Sequence, residues 1–302
     1  MNTRNRMTGI LLVMGSAIIY GISPTLMKVT FAYGGNGLLS TFYTSIFSLP
    51  MLWLWARMAH VSLLVDRAMF GRIALLSLGT WPTSLLLYSS YVFIPVGMAT
   101  TLHFVFPVVT AIYLTVFCHE KFGLMNIVAL LLAVGGIVCM SANGLSGGSL
   151  IGILLALSSG FTWAFYIVYV EKSGLSDQHP ALLNFYMALA NAVFAGIACM
   201  ITEGRIALYT ALPIWGLVVF NALIHRVAGN AMFQLGIRGT SAFSASIFST
   251  FEPVTSIIVG VLFLGERFNA AQIAGLVLIL GGIVCNVFAG RRSDITDQAA
   301  TH

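Results

Sequence analysis

The sequence predicts an all-α membrane protein of ten transmembrane helices arranged as two inverted five-helix repeats. Three observations predict it. First, 59% of the 302 residues are hydrophobic and only 8% charged, with a mean hydropathy of +0.96; soluble domains carry roughly 25% charged residues. Such a chain cannot clothe a globule of its size in polar side chains. Second, apolar runs of about 20 residues fill most of its length, enough to cross roughly 30 Å of hydrocarbon at 1.5 Å per residue. Third, the chain repeats itself. At an offset of 146 residues Pro107 meets Pro253, Glu120-Lys121-Phe122 meets Glu266-Arg267-Phe268, and the two Gly-Gly-Ile-Val-Cys runs at 135–139 and 281–285 coincide. At an offset of 143, Gly9-Ile10-Leu11-Leu12 meets Gly152-Ile153-Leu154-Leu155.

The spans read as 8–28, 38–59, 70–92, 96–118, 122–142, 149–170, 180–202, 213–236, 240–264 and 269–289. Two tandem copies of a five-span unit must face opposite ways, which makes the repeat inverted and puts a substrate site between the copies. The repeats cover 1–145 and 146–292, leaving 293–302 as a cytoplasmic tail and Ser141–Ser149, rich in Gly and Ser, as the outer linker. No small-residue cleavage site follows the first apolar run, so it is expected to stay as the first span. With the N-terminus inside, Arg4, Arg6, Arg57, Arg67, Arg72, Lys121, Lys172, Arg238, Arg291 and Arg292 face the cytoplasm, against Lys28, Arg205 and Arg267 outside. That bias predicts both termini cytoplasmic.

Within the spans, Pro24, Pro82, Pro107 and Pro253 each remove a backbone hydrogen bond that lipid cannot replace. Pro107 and Pro253 are equivalent in the two repeats, so they are candidate gating kinks around a central cavity. The Gly-Gly pairs of spans 5 and 10 are small-residue surfaces for close helix packing, within the chain or between the chains of a homodimer. Cys118, Cys139, Cys199 and Cys285 lie in or at the ends of apolar runs, without metal-site spacing, and read as packing residues.

Gly236-Ile237-Arg238, Ala245-Ser246, Phe251-Glu252-Pro253-Val254 and Leu264-Gly265-Glu266 together resemble the signature of the drug/metabolite transporter superfamily, EamA type. The resemblance covers essentially the whole chain. It implies a bacterial inner-membrane carrier of small metabolites working by alternating access, often an amino-acid exporter, with a cavity lined chiefly by spans 1, 3, 4, 6, 8 and 9. Two places depart from the pattern. Tyr43-Thr44-Ser45 stands where some relatives carry an arginine, and span 8 contains His225-Arg226.

A charge at mid-membrane costs about 2.5–3.5 kcal/mol, and only Arg226 and Glu252 are charged near the middle of a span. They lie on consecutive antiparallel spans at similar depth. One reading is a buried pair that ties two helices. The other is a pair that opens, with Arg226 taking a substrate carboxylate and Glu252 a proton. Arg226, Asn230 and Gln234, spaced i, i+4, i+8, form one polar stripe that should face protein or water. His225 falls about 100° off that stripe and reads as packing. His103, aligned with Ser249 and one turn before Pro107, is a second proton-coupling candidate, with an ordinary hydrogen-bonded histidine as the alternative. Tyr20, Tyr88 and Trp163 are candidate substrate-binding aromatics, with Trp81, Tyr91 and Tyr166 as further aromatic surfaces. Lys28 is either an anion lure or an interfacial lysine.

No phosphate loop, HExxH motif or pair of intramembrane aspartates is present, since Asp66, Asp177, Asp294 and Asp297 all fall outside the spans. The chain reads as no enzyme and calls for no cofactor or metal. It has no basic patch for nucleic acid. Its expected partners are a small-molecule substrate and the bilayer. Transport of amino acids or related metabolites leads, with efflux of lipophilic drugs as the alternative and a non-transporting scaffold or sensor third.

Overall fold

The structure, a computed structural model, describes residues 3–94, 96–141, 149–264 and 270–300. Residues 142–148 of the Gly/Ser linker, Gly265, and Glu266-Arg267-Phe268 of the second repeat motif lie outside the described residues, as do the side chains of Pro24 and Lys28. Among the described residues all regular structure is helical. The helices are α1 (Thr3–Phe31), α2 (Gly37–Met58), α3 (Arg67–Ser77), α4 (Trp81–Ser90), α5 (Val96–His103), α6 (Phe106–Cys118), α7 (Leu124–Ser141), α8 (Leu150–Lys172), α9 (Pro180–Glu203), α10 (Leu212–Asn221), α11 (Asn230–Gly239), α12 (Ala242–Ser249), α13 (Phe251–Leu264) and α14 (Ala270–Ala300). A π-helical segment, Ala222–Gly229, joins α10 to α11 without a break.

Among the described residues, six stretches are long and apolar enough to cross a membrane: Arg6–Ser23, Gly37–Met58, Ala99–Cys118, Leu150–Lys172, Pro180–Glu203 and Leu212–Gly239. Leu124–Cys139 and Ile273–Ala289 are shorter apolar helices. Large apolar side chains such as Leu131, Ile201 and Leu262 point outward. Exposed to water these faces would be a liability, whereas a bilayer accommodates them. Hydroxyls within the helices bond back to carbonyls one turn earlier, as from Thr41 to Gly37 (2.9 Å) and from Thr44 to Ser40 (2.7 Å), so they need no partner in lipid.

The helix ends follow local chemistry. The Asn36 side chain accepts from the Leu39 N–H at the start of α2, Asp66 caps α3, and Ser241 caps α12. The interior breaks follow proline. Pro82 opens α4 after a turn at Leu78–Thr80, Pro107 opens α6 after Phe104–Val105, and Pro253 lies just past the turn at Thr250 that starts α13. A proline cannot donate to the carbonyl four residues back, His103 for Pro107 and Ser249 for Pro253, so the helix opens there.

Packing sets which faces meet. α7 lies along α14, and α2 along α9. α1 is flanked by α11, the π segment, α12 and α13, while α8 is flanked by α4, α5 and α6. Glycine permits the closest approaches. A methyl on Gly136 would lie 2.7 Å from the Gly275 carbonyl oxygen, and one on Gly282 would lie 2.8 Å from that of Ala129. The Gly-Gly surfaces of α7 and α14 therefore close on each other within the chain. The outer faces of these helices carry exposed residues such as Leu131, Val138 and Val277.

α6 packs against α12, yet their continuations α5 and α13, beyond the proline breaks, make no extended contact among the described residues. Phe122 and Phe243, 4.5 Å apart between ring centroids, cover the closed side. Ion pairs of Lys172 with Glu120 and of Arg238 with Asp177 (3.1 Å) lie in the loops on that side. Phe122, Phe243 and these ion pairs thus close one side of the bundle.

Candidate functional site

The two mid-span charges come to one interior region. Arg226, from the π segment, and Glu252, from the first turn of α13, are surrounded by protein on all sides, yet both side chains keep accessible surface. The Tyr20 and Tyr88 hydroxyls lie within electrostatic reach of both, and Tyr91 lies within reach of Glu252. Among the described residues Arg226 and Glu252 do not pair with each other, and neither has a hydrogen-bond partner. An unpaired cation and an unpaired carboxyl at mid-depth are costly for the fold. They are also free to engage a polar solute.

Neighbouring elements hold this group in place. The Tyr20 hydroxyl donates to the Asn230 side-chain oxygen at 2.7 Å, bonding α1 to α11. The Tyr88 ring lies against Gly37 of α2, where any side chain would collide with it, since a Cβ there would sit 2.6 Å from the ring. The Tyr88 hydroxyl rests 3.6 Å from the Met27 sulfur. Next to them an aromatic wall forms. Trp163 stacks on Phe233 (centroids 5.6 Å apart) and on Tyr166 (4.8 Å), and Tyr20 leans on the same Phe233 at 6.2 Å.

His103 sits on the α8 flank of this wall. Its Nδ1 lies 2.9 Å from the Ser159 hydroxyl, and Ser159 is one turn before Trp163 on α8. The Ser159 hydroxyl already donates to the Ala156 carbonyl (2.6 Å), so His103 must donate from Nδ1 and its Nε2 carries the free lone pair. The His103 carbonyl released by Pro107 faces Gly160, where a methyl group would approach it to 2.6 Å.

Gln234 has a different setting from Arg226 and Asn230. It is fully buried, and its Nε2 donates to the Tyr166 hydroxyl (3.2 Å) and to the Asn184 side-chain oxygen (3.1 Å). The Gln234 Oε1 and Asn184 Nδ2 atoms are buried without protein partners. His225, by contrast, joins the cluster on α1. Its Nδ1 is 2.9 Å from the Ser23 hydroxyl, which donates to Asn221 Oδ1 at 2.8 Å, and its ring lies 4.8 Å from that of Tyr20. The π segment accounts for this, because i→i+5 turns take up an extra residue and change the azimuth of everything after them.

Tyr20, Tyr88, Asn230, Arg226 and Glu252 thus share one neighbourhood, Trp163 and His103 flank it, Gln234 is enclosed beside it, and Pro107 and Pro253 start the helices below and above it. Sequence reasoning missed Ser23, Asn221, Ser159, Asn184 and Phe233. The first four are polar residues inside apolar runs, which was the available signal. Nothing local pointed to Phe233.

Among known proteins, the model of the EamA-like transporter family matches residues 7–142 and again residues 150–288. The uncharacterized transporter YvbV of Bacillus subtilis is 26% identical over 287 residues, 90% of this chain and 89% of that protein. The threonine/homoserine exporter RhtA of Salmonella typhimurium is 25% identical over 209 residues, 68% of each chain. A probable amino-acid metabolite efflux pump of Escherichia coli is 24% identical over 181 residues, 57% of this chain and 60% of that one. One solved crystal structure superposes with a TM-score of 0.82 at 17% identity, covering 95% of this chain and 99% of the other.

Proposed function

This chain belongs to the EamA-like transporter family, and from that premise we propose that it is a secondary active exporter of small metabolites such as amino acids. It is a multi-pass membrane transporter; its substrate and mechanism are our reading. The observation that carries the reading is the pair of charges Arg226 and Glu252, without ion-pair partners among the described residues, both within electrostatic reach of Tyr20 and Tyr88. A zwitterion presents a carboxylate for Arg226, while Asn230 orients its polar end and Tyr20, Tyr88 and Trp163 shelter its apolar part; Gln234, enclosed with Tyr166 and Asn184, supports the wall behind them rather than the solute. Glu252 or His103 carries the coupling proton.

The working unit is ten spans in two inverted repeats, 1–145 and 146–292, with a short cytoplasmic tail at 293–302, both termini cytoplasmic, and a bacterial inner membrane as host. The family match to each half supports this arrangement, as does the packing. α1 against α11–α13 has its counterpart in α8 against α4–α6, while α7 with α14 and α2 with α9 pair across the halves. Alternating access then consists of rocking one half against the other about the breaks at Pro107 and Pro253. A second copy docked at spans 5 and 10 would pack on their outer residues. The aromatic wall favours a second reading, efflux of lipophilic compounds with little use of Arg226.

The test is uptake and counterflow of a labelled amino-acid panel in proteoliposomes, with and without a pH gradient, for wild type and Glu252→Gln. Saturable flux that follows the gradient only in the wild type supports proton-coupled export. Gradient-independent flux in both proteins makes this a facilitator, and no flux for any amino acid removes that substrate class. Unchanged drug efflux in Arg226→Gln supports the lipophilic reading.

A further inference from the structure

We propose that His225 is a positioning residue, whose bond to Ser23 holds the π-helical turn that aims Arg226 toward Tyr20 and Tyr88. Asn221 and Asn230 both bond to α1, to Ser23 and Tyr20 respectively, and those two residues lie one turn apart on a single face of α1. Nine residues of uninterrupted α-helix, at about 100° each, would put Asn221 and Asn230 about 180° apart, on opposite faces. The π segment absorbs the difference by taking an extra residue into its turns. All three contacts to α1, from Asn221, His225 and Asn230, then fall on one side of the helix.

A π turn is rarer and less favourable than an α turn, so something must hold it. Ser23 sits between Asn221 and His225. Its hydrogen is committed to Asn221 Oδ1, so it accepts from the His225 Nδ1–H and ties the start of the segment to its middle. Gly229 closes the other end. A methyl there would lie 3.0 Å from the Tyr20 ring and 3.2 Å from the Ile224 carbonyl. Arg226 lies between these anchors with no hydrogen-bond or ion-pair partner among the described residues. Its direction is therefore set by the backbone beneath it. If the clamp is lost and the segment relaxes to α-helix, the residues within it turn by up to about 100°, one residue's worth, and Arg226 turns away from Tyr20 and Tyr88.

The inference rests on the reading that Arg226 faces the transported solute, and the test separates the two. In a background with Cys118, Cys139, Cys199 and Cys285 changed to alanine, Arg226→Cys is labelled in detergent with an anionic methanethiosulfonate reagent. Glu252→Cys on α13 serves as a control position. Adding His225→Leu should slow labelling at 226 by about tenfold, the population factor set by one hydrogen bond, and leave labelling at 252 unchanged. Ser23→Ala, which keeps the histidine, should do the same. His225→Asn, which retains a side-chain N–H donor, should restore the rate. Equal rates at 226 with and without His225→Leu, or slowing at both positions, overturn the proposal and leave the transport reading standing. No labelling at 226 in the parent would overturn both.

Discussion

Replacing Arg226 with glutamine should make the purified carrier more stable and less selective for carboxylates. The sign follows from the missing partner. An unpaired cation at mid-bilayer costs about 2.5–3.5 kcal/mol, and Arg226 has no protein partner among the described residues to offset it. Glutamine removes the charge while keeping polar atoms for the same space, so a gain of about 1–2 kcal/mol is expected. At about 2–4 °C per kcal/mol, that raises the melting temperature by a few degrees. Had Arg226 and Glu252 formed a buried pair, deleting one partner would instead cost about 3–5 kcal/mol. The two arrangements thus differ in the direction of the shift as well as its size. Tryptophan fluorescence during heating in detergent measures the melting temperature. Repeating the scan with an amino acid and its amide tests recognition. Losing a charge-assisted bond of about 1.5–3 kcal/mol should weaken binding of the acid by roughly 10- to 150-fold and leave the amide nearly unchanged. A fall in melting temperature of several degrees would refute the reasoning from an unpaired charge.

Gly136→Ala should destabilise the packing of α7 on α14 by about 1–3 kcal/mol, because its methyl would meet the Gly275 carbonyl at 2.7 Å. Gly135→Ala, with nothing within 4 Å, should be neutral or slightly stabilising in the same melting assay. Gln234→Leu should cost about 1–3 kcal/mol by stranding the Asn184 side chain and the Tyr166 hydroxyl, and an unchanged melting temperature would argue against that network. Asp177→Ala removes an ion pair whose side chains are 54% and 67% exposed, so its effect on stability should stay within about 0.5 kcal/mol. Its transport rate reports whether the loops on the sealed side contribute to gating.

Part of this architecture was legible residue by residue. Composition and apolar runs of about 20 residues point to membrane helices, because backbone in hydrocarbon must be satisfied by protein and a continuous apolar run of that length does so as a helix. The breaks at Pro82, Pro107 and Pro253 were legible too, since a missing N–H is a covalent fact. So was the isolation of Arg226 and Glu252 as the two charges at mid-span, because sequence position sets depth along a helix.

Azimuth and distance between helices were not legible. The π turns of Ala222–Gly229 bring Asn230 onto the face of Asn221 and His225, where uninterrupted α-periodicity would put it about 180° from Asn221. Nothing local announces a π turn, since its stability comes from bonds to Ser23 and Tyr20, some 200 residues away in the chain. Likewise Gln234 follows Asn230 by one turn but ends beside Asn184 and Tyr166. Whether Arg226 and Glu252 pair, and whether the glycine faces of α7 and α14 meet in one chain or two, also depended on helix placement. The sequence by itself determined which segments are apolar helices and where proline interrupts them, because composition, proline and span length act locally. Only the tertiary structure decided what each group faces, because that depends on contacts between helices remote in sequence.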